Sequence, residues 1–262
     1  MKKKLDHLYT QYNQRQYVHP DPLEYLYHYD DIKDREIVGL IASSLAYGKV
    51  AQILKSVSNV LNIMGDSPFE YLSSTSESEI SHHFHLFVHR FAKGGHLSAL
   101  LIGIKHAIAE YESIYNCFMS GFKISDDTIV PALSVFSKNI IGTWDECRPG
   151  HLMPCPDKGS ACKRLNLFLR WMVRCDDVDP GGWHGIPASK LIIPLDTHMF
   201  QIAAQLGLTI RKQANLKTAI EITNGYKRWA PDDPVRYDFA LTRFGIRNDL
   251  AGNNALFLKL GV

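Results

Sequence analysis

Asp196 stands where a segment that is expected to be buried meets the beginning of a helix. In LIIPLDTHMF, residues 191–200, five apolar or rigid residues precede this acid, and an apolar pattern with helical period follows it directly. A carboxylate in this position commonly caps the helix by accepting hydrogen bonds from its first backbone N–H groups. A fixed carboxylate can also stabilise positive charge that develops in a reaction, or activate an attacking group. Asp196 is therefore a candidate cap and a candidate catalytic residue, and one role does not exclude the other.

Lys163 lies in a segment where basic side chains accumulate. Residues 158–174 contain lysine and arginine but no aspartate or glutamate, and Gly159 with Ser160 predicts a turn before a helix. Backbone N–H groups at such a helix start, flanked by Lys158 and Arg164, are suited to binding a phosphate group. A solvated basic end of a buried helix would give the same pattern. A lysine at this place can also act as a nucleophile once its amine is deprotonated.

The two segments together resemble the helix-hairpin-helix (HhH-GPD) DNA glycosylase superfamily. GSACKRLNLFLRWMVR, a loop, and IIPLDTHMFQIAAQLGL are similar to a hairpin with a G-x-G/A-x-K pattern followed by a P/V-D-T/x-H/R helix start. In this sequence the pattern falls on Gly159, Ala161, Lys163, Pro194, Asp196, Thr197 and His198. The hairpin is degenerate, because PDKGSA stands where L-P-G-V-G is usual. The whole chain also resembles a bacterial family usually called conserved hypothetical proteins.

The resemblance implies a catalytic pair. Lys163 would attack C1′ of a sugar and form a Schiff base, which also permits strand cleavage, while Asp196 would stabilise the charge on the sugar or activate the attacking group. The spacing of the pair and the segment DPVRYDFALTRFG (233–245) are closest to the archaeal 8-oxoguanine glycosylases, which would put Asp238 beside a base pocket. Thr242 stands where those enzymes would have a stacking aromatic residue, so the substrate base stays open.

The resemblance also implies contacts with a base and with DNA. Trp183, in a glycine-rich loop between the two catalytic candidates, is the aromatic residue that best fits stacking on an extruded base, with core packing as the alternative. The segment EIVGLIASSLAYGKVAQIL resembles a helix that ends at a DNA-wedging loop, here Tyr47–Lys49. The expected DNA-binding residues are Lys49, Lys158, Gly159 and Arg164.

Composition limits the other possibilities. A net charge of only +2 identifies no partner, no apolar run reaches the 18 residues of a membrane span, and no apolar region follows MKKKLDHLYTQY as in a signal peptide. The five cysteines form no C-x-x-C pair, so we interpret them as reduced thiols. The four-cysteine iron–sulfur motif of endonuclease III is absent from the C-terminal region. We expect a cytoplasmic monomer without metal or cofactor.

Helical periodicity dominates the chain. Residues 34–65 predict two helices, or one helix kinked at Tyr47–Lys49. Further helices are predicted at 80–91, 161–174, 197–206, 215–229 and 234–244, the last opened by Pro234. The histidines in ISHHFHLFVHRF (80–91) lack a carboxylate or cysteine partner, so we interpret them as a solvated or partly packed helix face. Asp176, Asp177 and Asp179 are interpreted as a plain loop, because the calcium-loop pattern does not match.

These features predict an all-α fold of two helical lobes with a cleft between them that holds Lys163 and Asp196. One lobe would comprise 33–188, and the other 1–32 together with 189–262. The expected function is excision of a damaged or modified base from duplex DNA, with or without strand cleavage. Two alternatives stay open: a non-catalytic nucleic-acid-binding protein of the same fold, and a glycosidase that acts on a modified nucleoside or RNA.

Overall fold

The computed structural model describes residues 1–142 and 148–246, with the backbone alone for 244–246. Within these ranges the chain is mostly helical, which confirms the all-α class. The α-helices are α1 (Lys2–Tyr12), α2 (Ile32–Ser44), α3 (Val50–Met64), α4 (Pro68–Ser74), α5 (Glu77–His83), α6 (Gly94–Tyr111), α7 (Ile114–Met119), α8 (Val130–Ile141), α9 (Lys163–Val173), α10 (Thr197–Gln205), α11 (Leu216–Lys227) and α12 (Asp238–Ile246). Short 3-10 helices are Arg15–Tyr17, Pro22–His28, Gly150–Leu152, Pro156–Lys158 and Ala188–Lys190.

The chain divides into two compact units. One contains Met1–His19 and the chain from Gly159 onward, and the other is Pro20–Lys158. These boundaries differ from those of the predicted lobes, since α9 belongs to the same unit as α10, α11 and α12. Lys163 and Asp196 therefore lie in one unit, whereas the sequence had suggested one residue in each lobe.

In the unit Pro20–Lys158, α6 packs against α4, α5, α7 and α8. Glu36 of α2 is 1% exposed and caps α7, because its two carboxylate oxygens accept the N–H groups of Ile114 at 2.6 Å and Tyr115 at 3.0 Å. Gly103 permits close packing of α6 on α8, since a Cβ atom there would collide with the carbonyl oxygen of Ile140. The Glu36 cap of α7 and the close contact between α6 and α8 thus hold the core of this unit together.

Two predictions about this unit have different outcomes. Residues 34–65 form the two helices α2 and α3, separated at Gly48, which has a φ of +98°. The predicted helix 80–91 is wrong in its second half, because Val88–His89 (β1) and Ala92–Lys93 (β2) form an antiparallel hairpin. The hairpin buries His89, and both nitrogens of its ring have polar partners. Its Nδ1 lies 2.9 Å from the Ser56 hydroxyl, and its Nε2 lies 3.1 Å from the carbonyl oxygen of Tyr47.

In the other unit, α12 packs against α1 and α10. The predicted helices 161–174, 197–206 and 215–229 are confirmed as α9, α10 and α11. The predicted start of the last helix at Pro234 is wrong, because residues 234–237 form turns and α12 begins at Asp238, whose N–H donates to the carbonyl oxygen of Val235 at 3.1 Å.

Candidate functional site

Asp196 is held by the buried segment that precedes it. Residues 191–195 are all buried, and the N–H of Ile193 donates to the hydroxyl of Thr223 on α11 at 3.0 Å. At the end of this segment Asp196 caps α10, since its Oδ1 accepts the N–H of Met199 at 2.9 Å. The capping role is therefore confirmed, and the bond fixes the orientation of a carboxylate that is itself half-buried.

Lys163 is the first residue of α9 and is also half-buried. The preceding residue, Cys162, has a left-handed conformation (φ 45°, ψ 41°), and its N–H donates to the Ser160 hydroxyl at 3.1 Å. The carbonyl oxygen of Gly159 accepts the N–H of Leu216 at 3.0 Å, which ties the turn to the beginning of α11. The structure thus places Lys163 on an anchored turn. The two-helix hairpin of the resemblance stays a prediction; the residues immediately before Gly159 form the short 3-10 helix Pro156–Lys158.

Asp238 connects the two catalytic candidates electrostatically. It is the first residue of α12 and is only 3% exposed. Burial raises the pKa of this carboxyl to about 6; Arg170 opposes the rise, Asp196 adds to it, and Lys163 opposes it. We call Lys163, Asp196 and Asp238 the charge cluster, because the charges of Lys163 and Asp196 both affect the pKa of Asp238.

A buried ion network supports Asp238. The Nη1 atom of Arg170 lies 2.5 Å from Asp238 Oδ2, and the Nη2 atom of Arg170 lies 3.0 Å from Asp179 Oδ1. Arg174 also pairs with Asp179, and it contacts Asp176 at 2.6 Å and Asp233 at 2.9 Å. Arg170 and Asp179 are 3% and 0% exposed, so their charges depend on each other for compensation.

The pKa of Arg174 reflects its three carboxylate partners in this ion network. Burial alone would lower the pKa of its guanidinium, but the carboxylates of Asp179, Asp233 and Asp176 raise it above the ordinary arginine value. Arg174 therefore stays charged inside the protein. The hydroxyl of Tyr9 donates to Asp176 at 2.9 Å, which links α1 to the same network.

The sequence interpretation did not find this network. In the sequence, Arg170 is one of several basic residues in 158–174, and Asp179 belongs to a segment that is interpreted as a plain loop. A usable signal was present, because Arg170 lies in a helix segment that is apolar on nearly all sides, and a buried arginine requires a carboxylate partner. The aspartates that follow at 176–179 were the nearest partners in sequence.

Trp183 lies in the core of this unit. It is 2% exposed, and its ring contacts that of Phe168 edge-on, with centroids 5.1 Å apart and planes at 86°. This environment favours the core-packing alternative over base stacking. Thr242 is half-buried, and its hydroxyl donates to the carbonyl oxygen of Asp238 at 2.8 Å, one turn earlier in α12.

The expected DNA-binding residues are distributed over both units. Lys49 and Lys158 are exposed side chains of the unit Pro20–Lys158, whereas Gly159 is exposed and Arg164 half-buried in the other unit. In the described parts of the chain, no group of three or more histidine, cysteine, aspartate or glutamate residues is arranged as metal ligands. No helix in those parts is both long and apolar enough to cross a membrane.

Comparison with known proteins places the chain in a family. Searches of curated proteins and of solved structures found no match. A family model described as "Protein of unknown function (DUF2400)" matches residues 21–247. Because this match covers most of the 262 residues, the chain belongs to the DUF2400 family.

Proposed function

We propose that the protein is a DNA N-glycosylase that removes a damaged or modified base, with Lys163 as nucleophile and Asp196 as the stabilising carboxylate. The observation that supports the proposal is the charge cluster, in which a lysine at a helix start and a capping aspartate both act on the pKa of a buried aspartate. These are the residue types that cleavage of an N-glycosidic bond by an amine requires.

In the proposed reaction, the lone pair of the deprotonated Lys163 amine forms a bond to C1′. The C1′–N bond to the base breaks, and the base leaves with that electron pair and takes up a proton. Asp196 is suited to stabilising the positive charge that develops on the sugar, because its bond to the N–H of Met199 fixes the carboxylate before the reaction. Ring opening with loss of a proton from nitrogen to the ring oxygen then gives the Schiff base.

Asp238 is suited to the proton transfer that precedes the attack. Its pKa of about 6 lies near physiological pH, where a carboxylate both accepts and releases a proton readily. Lys163 must lose a proton to become a nucleophile, and its charge opposes the rise in the pKa of Asp238. Arg170 keeps the Asp238 carboxylate in place from inside the core. We therefore extend the proposed role of Asp238 from the base pocket to proton transfer.

Borohydride trapping on a panel of lesion-bearing duplexes tests the proposal. We expect the protein to become covalently attached to a duplex that carries its substrate base, because borohydride reduces the Schiff base. Lys163→Gln and Lys163→Arg should both abolish the adduct, since arginine keeps the positive charge but does not deprotonate to attack. Lys190→Gln, which changes another lysine of the same unit, is the matched control and should keep the adduct.

Asp196→Asn separates catalysis from capping. Asparagine caps a helix almost as well as aspartate, so folding and DNA binding should persist while base release falls by orders of magnitude. Loss of folding would show that Asp196 is purely structural. Base release without any trapped adduct would remove Lys163 as nucleophile. DNA binding with no base release from any duplex of the panel would support a non-catalytic binding protein.

A further inference from the structure

Three of the most exposed apolar side chains of the unit Pro20–Lys158 lie within six residues of one another, in and next to the β1–β2 hairpin. Leu86, Val88 and Phe91 are 81%, 64% and 71% exposed. The hairpin register pairs Val88 with Lys93 and His89 with Ala92, so the buried pair faces inward and the exposed pair faces solvent. Large apolar side chains grouped in this way are typical of an interaction surface. We call the exposed side chains of α3 and of residues 82–93 the hairpin surface.

The tip of the hairpin presents Phe91 on a firmly held backbone. The imidazole of His89, immediately before the tip, contacts Ser56 and the carbonyl oxygen of Tyr47, and the Tyr47 hydroxyl donates to the carbonyl oxygen of His89 at 2.9 Å. The Arg90 guanidinium lies over the Phe91 ring, 5.3 Å from its centroid. An exposed aromatic ring on an anchored turn, beside a guanidinium, offers a surface on which a planar ligand can stack.

The hairpin surface carries positive charge. No aspartate or glutamate occurs in residues 37–65 or 80–109. Lys55, Arg90 and Lys93 on this surface, and Lys49 just before α3, make no ion pair with any described residue. Glu79 lies near His83 at the edge of this surface, but its carboxylate accepts hydrogen bonds from the backbone and hydroxyl of Ser76. The charge therefore fits an anionic partner.

A groove of about 580 Å³ runs between α3 and the segment that leads into the hairpin. Its walls combine apolar side chains with the amides of α3, and they include Gln52, Asn59, Asn62, Lys55, Leu86 and Val88. The volume lies within the usual range for sites that hold small planar ligands. Amides offer donors and acceptors to the edges of nucleobases, whereas contact with a lipid surface would not use them.

We propose that the hairpin surface binds single-stranded nucleic acid, with one base stacked on Phe91 and the phosphates along Lys55, Arg90 and Lys93. An aromatic platform beside unpaired cations is the arrangement by which proteins hold single strands without reading their sequence. This activity goes beyond base excision and does not depend on the charge cluster. It gives the unit Pro20–Lys158 a binding role of its own.

Fluorescence anisotropy with fluorescein-labelled dT20 and the full-length protein tests the proposal. This oligonucleotide contains no lesion, so its binding is independent of glycosylase activity. Phe91→Ala should weaken binding by about tenfold or more, and Phe91→Trp should retain it, because every base stacks on an aromatic face. Ile124→Ala, which truncates another exposed apolar side chain (68% exposed) of the same unit, is the matched control and should bind like the wild type.

Further measurements identify the partner class. Lys93→Gln should lower the slope of log K against log salt by about 0.7, the value for one phosphate contact to a single strand. Equal affinity of the wild type and Phe91→Ala for dT20 would overturn the proposal. Binding to vesicles of phosphatidylserine and phosphatidylcholine in preference to dT20, lost in Phe91→Ala, would overturn it in favour of a membrane surface. Phe91→Leu, which keeps an apolar side chain at the tip, should also lose affinity; if it binds normally, stacking is refuted.

Discussion

Replacing Asp238 with asparagine should stabilise the protein, and more at pH 8 than at pH 5. In the folded protein the pKa of Asp238 is about 6, above the ordinary aspartate value of 3.8, and burial is the largest cause. Folding therefore favours the protonated carboxyl. The stabilisation that the protonated Asp238 carboxyl contributes to the folded state is fully present below pH 3.8, and it is lost as the pH rises through about 6. Asparagine resembles the protonated form in size and charge but does not ionise.

The size of the effect follows from proton linkage. Each tenfold change in proton affinity corresponds to about 1.4 kcal/mol. With pKa values of about 6 and 3.8, ionisation of Asp238 at pH 8 destabilises the folded state by about 3 kcal/mol, and at pH 5 by roughly half as much. Asp238→Asn should raise the free energy of unfolding by about these amounts, because the amide oxygen can still accept from Arg170 while the charge is absent.

Urea unfolding at both pH values, followed by circular dichroism, measures this difference. The slope with urea should be the same for both proteins, so that the change reflects stability alone. Asp157→Asn is the control: this exposed carboxylate pairs with Lys138 at 2.6 Å, and its pKa is lowered by that pair, so removing its charge should not stabilise the protein. If Asp238→Asn destabilises the protein at pH 8, the ion pair with Arg170 outweighs burial, and Asp238 is a structural residue with no reason to titrate near neutral pH.

Three other perturbations test further parts of the structure. Glu36→Gln should lower the free energy of unfolding by about 1–3 kcal/mol, because one of the two capped N–H groups of α7 then meets an amide donor; a neutral result in urea unfolding would refute the cap. Gly103→Ala should destabilise by about 1–3 kcal/mol, since its methyl group collides with the Ile140 carbonyl oxygen, whereas an unchanged midpoint would show that α6 and α8 adjust freely. Lys158→Gln should reduce the salt slope of duplex DNA binding by about 0.9; an unchanged slope would remove this exposed lysine from the DNA contacts.

Those parts of the candidate site that depend on interactions between residues close in sequence could be predicted from the sequence. The apolar segment before Asp196 and the helical period after it predicted both a helix start and a cap, because the capping bond joins residues only three positions apart. The turn at Gly159 and the buried helix beginning near Lys163 were predicted for the same reason. The interrupted apolar pattern also predicted a break or a kink at Tyr47–Lys49, and the structure decides for two helices, α2 and α3.

Tertiary structure decided the remaining features. The segment ISHHFHLFVHRF has a helical pattern, but burial of His89 between Ser56 and Tyr47 turns its second half into a hairpin and exposes Phe91. Such contacts join residues more than 30 positions apart, so no local pattern records them. The pairing of Arg170 with Asp238, 68 positions away, likewise depends on how α9 and α12 are buried together. The sequence by itself determined where α9 and α10 begin, because turn and capping interactions are local. The low polarity of the folded interior determined which buried charges must pair, and those partners are distant in the sequence.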